Sequence, residues 1–291
     1  MRARSLGLPI LLVVLSPNFA SLFGAEPPTQ VPFKLHGGFA IVVHGAIASQ
    51  DNLNILVDTG AVPSVVHERL ARKLKLSGPR EVISVVNQNR SLQRVSLVGL
   101  HIGLLEYATV SAVVLDLAAI ETRLGLRLDA IVGLDVLGGR NFTIDYKQRQ
   151  LLIGEALSTG EPIPFELKTE AGAPYVVVSM EMNSDRVRLL LDTGADDLKL
   201  YAARVPALTL TVQNAGTRKD VSAAGEYDVN QIRLSNARLG GIERANLQAA
   251  IVDSPDSALR EFDGLLGPTF LGITRLALDF RTSTLYVELN R

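Results

Sequence analysis

Ile55-Leu56-Val57-Asp58-Thr59-Gly60-Ala61 returns as Leu189-Leu190-Leu191-Asp192-Thr193-Gly194-Ala195, 134 residues further along the chain (192 − 58). Two more landmarks keep that spacing. Asp129-Ala130-Ile131-Val132-Gly133-Leu134 returns as Asp263-Gly264-Leu265-Leu266-Gly267-Pro268, and Asp145 of Phe142-Thr143-Ile144-Asp145-Tyr146 returns as Asp279 of Leu276-Ala277-Leu278-Asp279-Phe280. Val31-Pro32-Phe33-Lys34-Leu35 is echoed by Ile163-Pro164-Phe165-Glu166-Leu167. Ordinary residue usage supplies a chance Asp-Thr-Gly at about 2 in 10,000 positions. Two copies, each behind three aliphatic residues and each followed at one distance by two aliphatics and a glycine, mark a tandem duplication.

Each copy reads mostly as strand. Ala40–Val43, Asn54–Val57, Glu81–Val86, Ala108–Leu115 and Gln150–Ile153 are short aliphatic or alternating runs set off by Gly, Asn and Ser, with Tyr175–Met180 and Thr284–Leu289 as counterparts. Helix is minor: Val66, Leu70 and Leu74 have helical spacing, and Asp116 caps a short segment from Leu117 to Leu124. Ser158-Thr159-Gly160-Glu161-Pro162 is polar and rich in breakers, and divides an N-terminal lobe, 26–157, from a C-terminal lobe, 158–291. The expected fold is all-β and bilobal, two homologous barrel-like lobes with few helices.

Composition narrows the function. With 29 Lys+Arg against 30 Asp+Glu the chain carries a net charge of −1 and no long basic run, which argues against a nucleic-acid partner. A hydrophobic share of 47% supports a sizeable core and excludes wholesale disorder. The absence of cysteine removes disulfides, zinc–thiolate sites, iron–sulfur clusters and a thiol nucleophile. At the N-terminus Arg2 and Arg4 precede the apolar stretch Leu6–Leu15, and the small residues Ala20, Ser21, Gly24 and Ala25 follow. That is the layout of a signal peptide over residues 1–25, cleaved after Ala25 or Ala20, and it is too short to span a bilayer. The expected product is an exported protein, periplasmic or secreted, without a stable membrane span.

An Asp at the end of an aliphatic strand, followed by Thr and Gly, is by itself most simply a turn residue whose oxygens accept nearby backbone N–H groups. Duplication changes this reading. A pseudo-two-fold axis would bring Asp58 and Asp192 face to face, and two carboxylates a few ångström apart cannot both ionise cheaply. The pair would share a proton and offer a general base and a general acid at one pH, with neither cofactor nor metal required.

At these residues the chain resembles the aspartic proteases, and among them the retropepsin-like group of retroviral and bacterial enzymes. Leu190-Leu191-Asp192-Thr193-Gly194-Ala195-Asp196-Asp197 is very similar to the retroviral active-site segment, and Ile131-Val132-Gly133 and Leu265-Leu266-Gly267 carry the likeness through most of both halves. The resemblance implies an aspartic endopeptidase with Asp58 and Asp192 as the catalytic pair. It implies that Thr59 and Thr193 exchange hydrogen bonds between the loops, that Gly60 and Gly194 admit close backbone approach, and that Ala61, Ala195, Asp196, Asp197 and Gly225 meet a peptide or protein substrate. Since both halves lie in one chain, a monomer would suffice.

Three departures from internal symmetry accompany this. The second half has Ser222-Ala223-Ala224-Gly225 as a hairpin-flap tip, whereas Asn87-Gln88-Asn89-Arg90 in the first half has no glycine. Asp196 and Asp197 stand where the first half has Val62 and Pro63, and Leu198–Tyr201 stands where the first half has its Val66–Leu74 helix. No G-x-S-x-G, G-x-x-x-x-G-K-[ST] or H-E-x-x-H motif is present, and His36, His44, His67 and His101 lack metal-ligand spacing. The rival reading of another class is a non-catalytic exported peptide-binding module that retains the cleft. A second rival is an enzyme that needs two chains.

Overall fold

The computed structural model describes residues 28–290, apart from 86–87, 171–172, 184, 206–212, 223–224 and 254–261. The signal segment expected over residues 1–25 lies outside them, as do Ala223 and Ala224 of the expected flap tip.

Strands dominate, and the repeat is visible in how they pair. Ile55, Leu56 and Val57, the aliphatics before Asp58, run parallel to Ala130, Ile131 and Val132; Leu189, Leu190 and Leu191 run parallel to Gly264, Leu265 and Leu266. Alternation along these strands sends side chains to opposite faces. Ile55 and Val57 enter the main core, which is continuous across both halves, while Leu56 joins a smaller cluster with Ala40, Val65, Val113 and Ile131. The second half does the same, with Leu189 and Leu191 in the main core and Leu190 in a cluster with Tyr175, Tyr201 and Phe262.

The halves are joined by a six-stranded antiparallel sheet to which each gives three strands. Its order is Thr29–His36, Gln150–Ile153, Phe142–Asp145, Ile273–Asp279, Thr284–Leu289 and Glu161–Glu170. At the central seam Phe142 pairs with Leu278, Ile144 with Leu276 and Asp145 with Arg275. Phe142, Ile144, Leu276 and Leu278 are fully buried there. Each such side chain stabilises by about 1.5–3 kcal/mol relative to exposure, so the seam is a core in its own right. The third repeated landmark thus serves to join the lobes: Arg275 Nη2 lies 2.9 Å from Asp145 Oδ2, and Asn141, the repeat counterpart of Arg275, donates to Asp279 Oδ1 at 3.0 Å.

One expected element is different. Val66 and His67 belong to the strand Ser64–His67, and helix occupies only Glu68–Lys73. The β-branched Val65 and Val66 extend a parallel pairing with Val113 and Val114, and the His67 ring nitrogen Nδ1 then caps the helix by accepting the Arg69 N–H at 3.1 Å. Leu198–Tyr201 is the equivalent strand, so the two halves are more alike after the loop than their spacing suggests. The helix expected after Asp116 forms at Ala118–Leu124, with Asp116 Oδ1 accepting the Ala118 N–H at 3.0 Å. Among the described residues no helix is long and apolar enough to cross a membrane.

Candidate active site

Asp58 and Asp192 each follow the last residue of a buried strand, and each loop is held by three layers of backbone contact. The Asp58 N–H donates to Val132 O at 2.9 Å and the Asp192 N–H to Leu266 O at 3.0 Å, which continues the parallel pairing into the loop. Gly133 and Gly267 then pass so close to Ala61 O and Ala195 O that a Cβ at either would overlap the carbonyl. This accounts for the glycine in the second repeated motif: the neighbouring backbone occupies the volume a side chain would need. Each Asp finally bends onto its own loop, with Oδ1 accepting the N–H of Gly60 or Gly194 at 2.8 Å.

The two loops interlock. Thr59 N–H donates to Thr193 Oγ1 and Thr193 N–H to Thr59 Oγ1, at 3.0 and 3.1 Å. The hydroxyls donate onward, Thr59 to Leu191 O at 2.6 Å and Thr193 to Val57 O at 3.2 Å. Both threonines are fully buried, so these four bonds form without competition from water. They set each glycine against the opposite carboxyl: a Cβ on Gly194 would lie 2.5 Å from Asp58 Oδ2, and one on Gly60 would lie 2.6 Å from Asp192 Cγ.

The carboxyl groups of Asp58 and Asp192, each set against the glycine of the opposite loop, line one cleft between the halves. Burial and the adjacent charge of Asp58 push the Asp192 carboxyl well above the ordinary carboxylate range. Burial raises Asp58 as well, opposed by hydrogen bonds from Asp192 and from the Gly60 and Gly194 N–H groups. Two buried carboxyls this close cannot both ionise cheaply, so the pair retains a proton between them. The pair thus carries a proton acceptor and a proton donor together.

Around this floor the cleft is uneven. On the side of the first half it is mostly apolar, lined among others by Phe39, Val65, Ile83, Leu92 and Ile120, with Arg123 as its cation. On the other side stand Asp196, Lys199, Asp220, Ser222 and Tyr227. Ala61, Ala195 and Asp196 are among the residues that line the cleft. Asp197 does not line the cleft; its carboxylate turns inward to Lys199 and Arg218, and burial holds it above its ordinary range against those cations. Asp196 is drawn below its ordinary range, its burial outweighed by Lys199, Arg218 and Arg123, the last paired with it at 2.9 Å across the cleft. Gly225 closes the hairpin of Gln213–Ser222 with Gly225–Leu239 at φ 115°, a conformation that suits glycine, and its neighbouring tip residues are outside the described set.

Sequence reading missed Lys199, Asp220, Arg218 and Tyr227. Aligning the copies position by position would have exposed the first, since Lys199 falls on the Val65 position; the others sit on a hairpin whose repeat spacing differs from 134. The carboxylates of Asp196, Asp197 and Asp220 lie close enough together to suit a cation. The Lys199 ammonium stands among all three, bonded to Asp197, 3.1 Å from Asp220 and 3.5 Å from Asp196, so the protein supplies that charge itself.

A family model described as aspartyl protease matches residues 41–136 and 178–270, one stretch in each half and more than half of the chain together. No curated protein matches the chain.

Proposed function

The chain belongs to the aspartyl protease family, and from that premise we propose that it is a single-chain aspartic endopeptidase whose catalytic pair is Asp58 and Asp192. The observation that carries this reading is that two buried carboxyl groups, one from each half and each against the glycine of the opposite loop, line one cleft between the halves.

The chemistry follows from their unequal protonation. Asp58, as carboxylate, accepts a proton from a water molecule, and the oxygen of that water attacks the carbonyl carbon of an extended peptide. Asp192, as acid, donates a hydrogen bond to the carbonyl oxygen and neutralises the charge that develops there. Asp58 then passes the proton it took from the water to the amide nitrogen, and the C–N bond breaks to give an acid and an amine. Thr59 and Thr193 act through the loops: they hold the carboxyls in register without touching the substrate. The backbone edges of the hairpins beside the cleft would receive the peptide as an added strand.

Export to the periplasm or exterior and action as a monomer belong to the same proposal. The first rests on Arg2, Arg4 and the apolar Leu6–Leu15, the second on the presence of both Asp-bearing loops in one chain.

The test is cleavage of an unfolded protein by the purified protein across pH 3 to 8, with and without a transition-state-mimicking inhibitor, beside the Asp192→Asn variant. Inhibitor-sensitive cleavage that disappears in the variant is the expected result. A folded protein that binds peptides and cleaves none at any pH would replace this reading with a peptide-binding module.

A further inference from the structure

The repeat allows each side of the cleft to be compared with the other at equivalent positions. Val65 pairs with Ile131 beside the first catalytic loop, and Lys199 pairs with Leu265 beside the second. Ile83 lies two residues before the last pair of the first hairpin, Val85 with Gln88, and is opposite Arg90; Asp220 lies two before the last pair of the second, Ser222 with Gly225, and is opposite Tyr227. Val62 and Pro63 correspond to Asp196 and Asp197. Four apolar positions of one half are thus ionic in the other.

Exchanging an apolar cluster for buried ions is costly unless every charge is partnered. Here the partners are present. Lys199, 6% exposed, reaches Asp196, Asp197 and Asp220, while Arg218 reaches Asp197 and lies 3.6 Å from Asp220. Arg123 comes from the first half to Asp196. Three acids face three bases, so the group has no net charge to offer a ligand, but it has hydrogen-bonding capacity. Asp220 Oδ2 is buried between two cations, with Lys199 Nζ 3.1 Å and Arg218 Nη2 3.6 Å away. Ser222 adds a hydroxyl to the same stretch of the lining.

We propose that this ionic group makes the cleft chemically one-sided. A bound peptide places a large apolar side chain against Val65, Ile83 and Leu92 on one side of the cleaved bond. At the equivalent position on the other side it places an uncharged polar side chain, Ser, Thr, Asn or Gln, against Asp220 and Lys199. An apolar side chain there would exclude water from the polar lining of Asp196, Lys199, Asp220 and Tyr227 without returning a hydrogen bond, and a charged one would upset a balanced network. The inference rests on the peptide-cleaving reading above and deepens it.

The experiment has two arms. A mixed peptide library is digested with the purified protein and the cut sites are read by mass spectrometry; in parallel, the Asp192→Asn protein is used to retain peptides from the same library by binding alone. The expected pattern in both is an apolar residue on one side and a polar one at the equivalent position, with a preference of about tenfold or more over an apolar pair. The variant Lys199→Val/Asp220→Ile, carrying the residues of the first half, is expected to shift the polar position toward apolar residues. Should that variant fail to melt cooperatively, Ile120→Phe narrows the opposite side and is expected to favour smaller apolar residues while leaving the polar preference in place. Cut sites with the same apolar preference on both sides would overturn the inference and leave the protease reading intact. Retention of one-sided peptides without any cleavage would do the reverse, and retention of symmetric peptides or of none would overturn the inference.

Discussion

The Thr59 amide donates to Thr193 Oγ1 at 3.0 Å and the Thr193 amide returns the bond to Thr59 Oγ1 at 3.1 Å. One residue from each half satisfies the other inside a dry interface, so the position of each Asp depends on the other half. Thr193→Ala leaves the buried Thr59 N–H without an acceptor, which costs about 1–3 kcal/mol. Urea unfolding is expected to show that loss, and Thr193→Ser, which keeps the hydroxyl, is expected to recover most of it. Equal stability for all three proteins would show that the exchange contributes nothing.

Asp58→Asn and Asp192→Asn are each expected to lower kcat by at least about 10²–10⁴-fold, the range for losing a positioned acid or base. Neither should unfold the protein, because Asn keeps the shape and the acceptor oxygen that the Gly60 or Gly194 N–H requires. Steady-state rates beside thermal melts separate the two effects. Full activity in either variant would remove the pair from the mechanism.

The raised Asp192 carboxyl also has a sign in stability. Its ordinary value is 3.8, and in the folded state it lies well above that. The folded protein therefore holds a proton that the unfolded chain would release. Its stabilisation is complete below the unfolded value and is lost as pH rises through the folded one. Asp192→Asn removes that dependence, so the melting temperature of the variant relative to wild type is expected to be lowest near pH 3.5 and to climb toward neutrality. A difference that stays flat with pH would mean that the proton is not held there.

Gly194 brings the backbone of the second loop against the Asp58 carboxyl. In Gly194→Ala the new Cβ, 2.5 Å from Asp58 Oδ2, must displace the carboxyl or part the loops. The expected outcome is loss of activity comparable to Asp58→Asn, accompanied by a lower melting temperature. Gly60→Ala is expected to act in the same way through Asp192, and full activity in either would contradict the crossed arrangement.

Much of this arrangement was legible in the sequence because it depends on residues that repeat. The three aliphatics before each Asp, the glycine after each second motif and the Asp at each seam recur with one spacing, and each turns out to touch its counterpart or the same structural neighbour. The ionic side of the cleft was not legible for the opposite reason. Lys199 looks like a solvent-facing lysine in a short strand, and Asp220 like one charge among several in the Arg218-Lys219-Asp220 run; only their convergence from two elements buries them together. The helix read over Val66–Leu74 failed at its start because apolar spacing alone does not distinguish a helix from a strand that ends in one. His67 resolved that ambiguity in the fold through a side-chain cap.

The seam between the halves gives the last prediction. Arg275 Nε and Nη2 both bond the buried Asp145 Oδ2, at 3.0 and 2.9 Å, and Arg275 Nη1 reaches Glu288 at 2.8 Å. Arg275→Met strips a buried carboxylate of its charge partner, and because Arg275 is itself part-exposed the loss should fall between that of surface and fully buried pairs, about 1–3 kcal/mol. Arg275→Met/Asp145→Leu removes both charges and so leaves neither buried unpaired, at the cost of the bond that Asp145 Oδ1 accepts from the Gln148 N–H at 2.8 Å. The double variant is therefore expected to be more stable than the single one in urea unfolding, with both halves still melting in one transition. If the double variant were instead the weaker, or if the halves melted separately, the ion pair itself and not the apolar seam around it would be what joins the lobes.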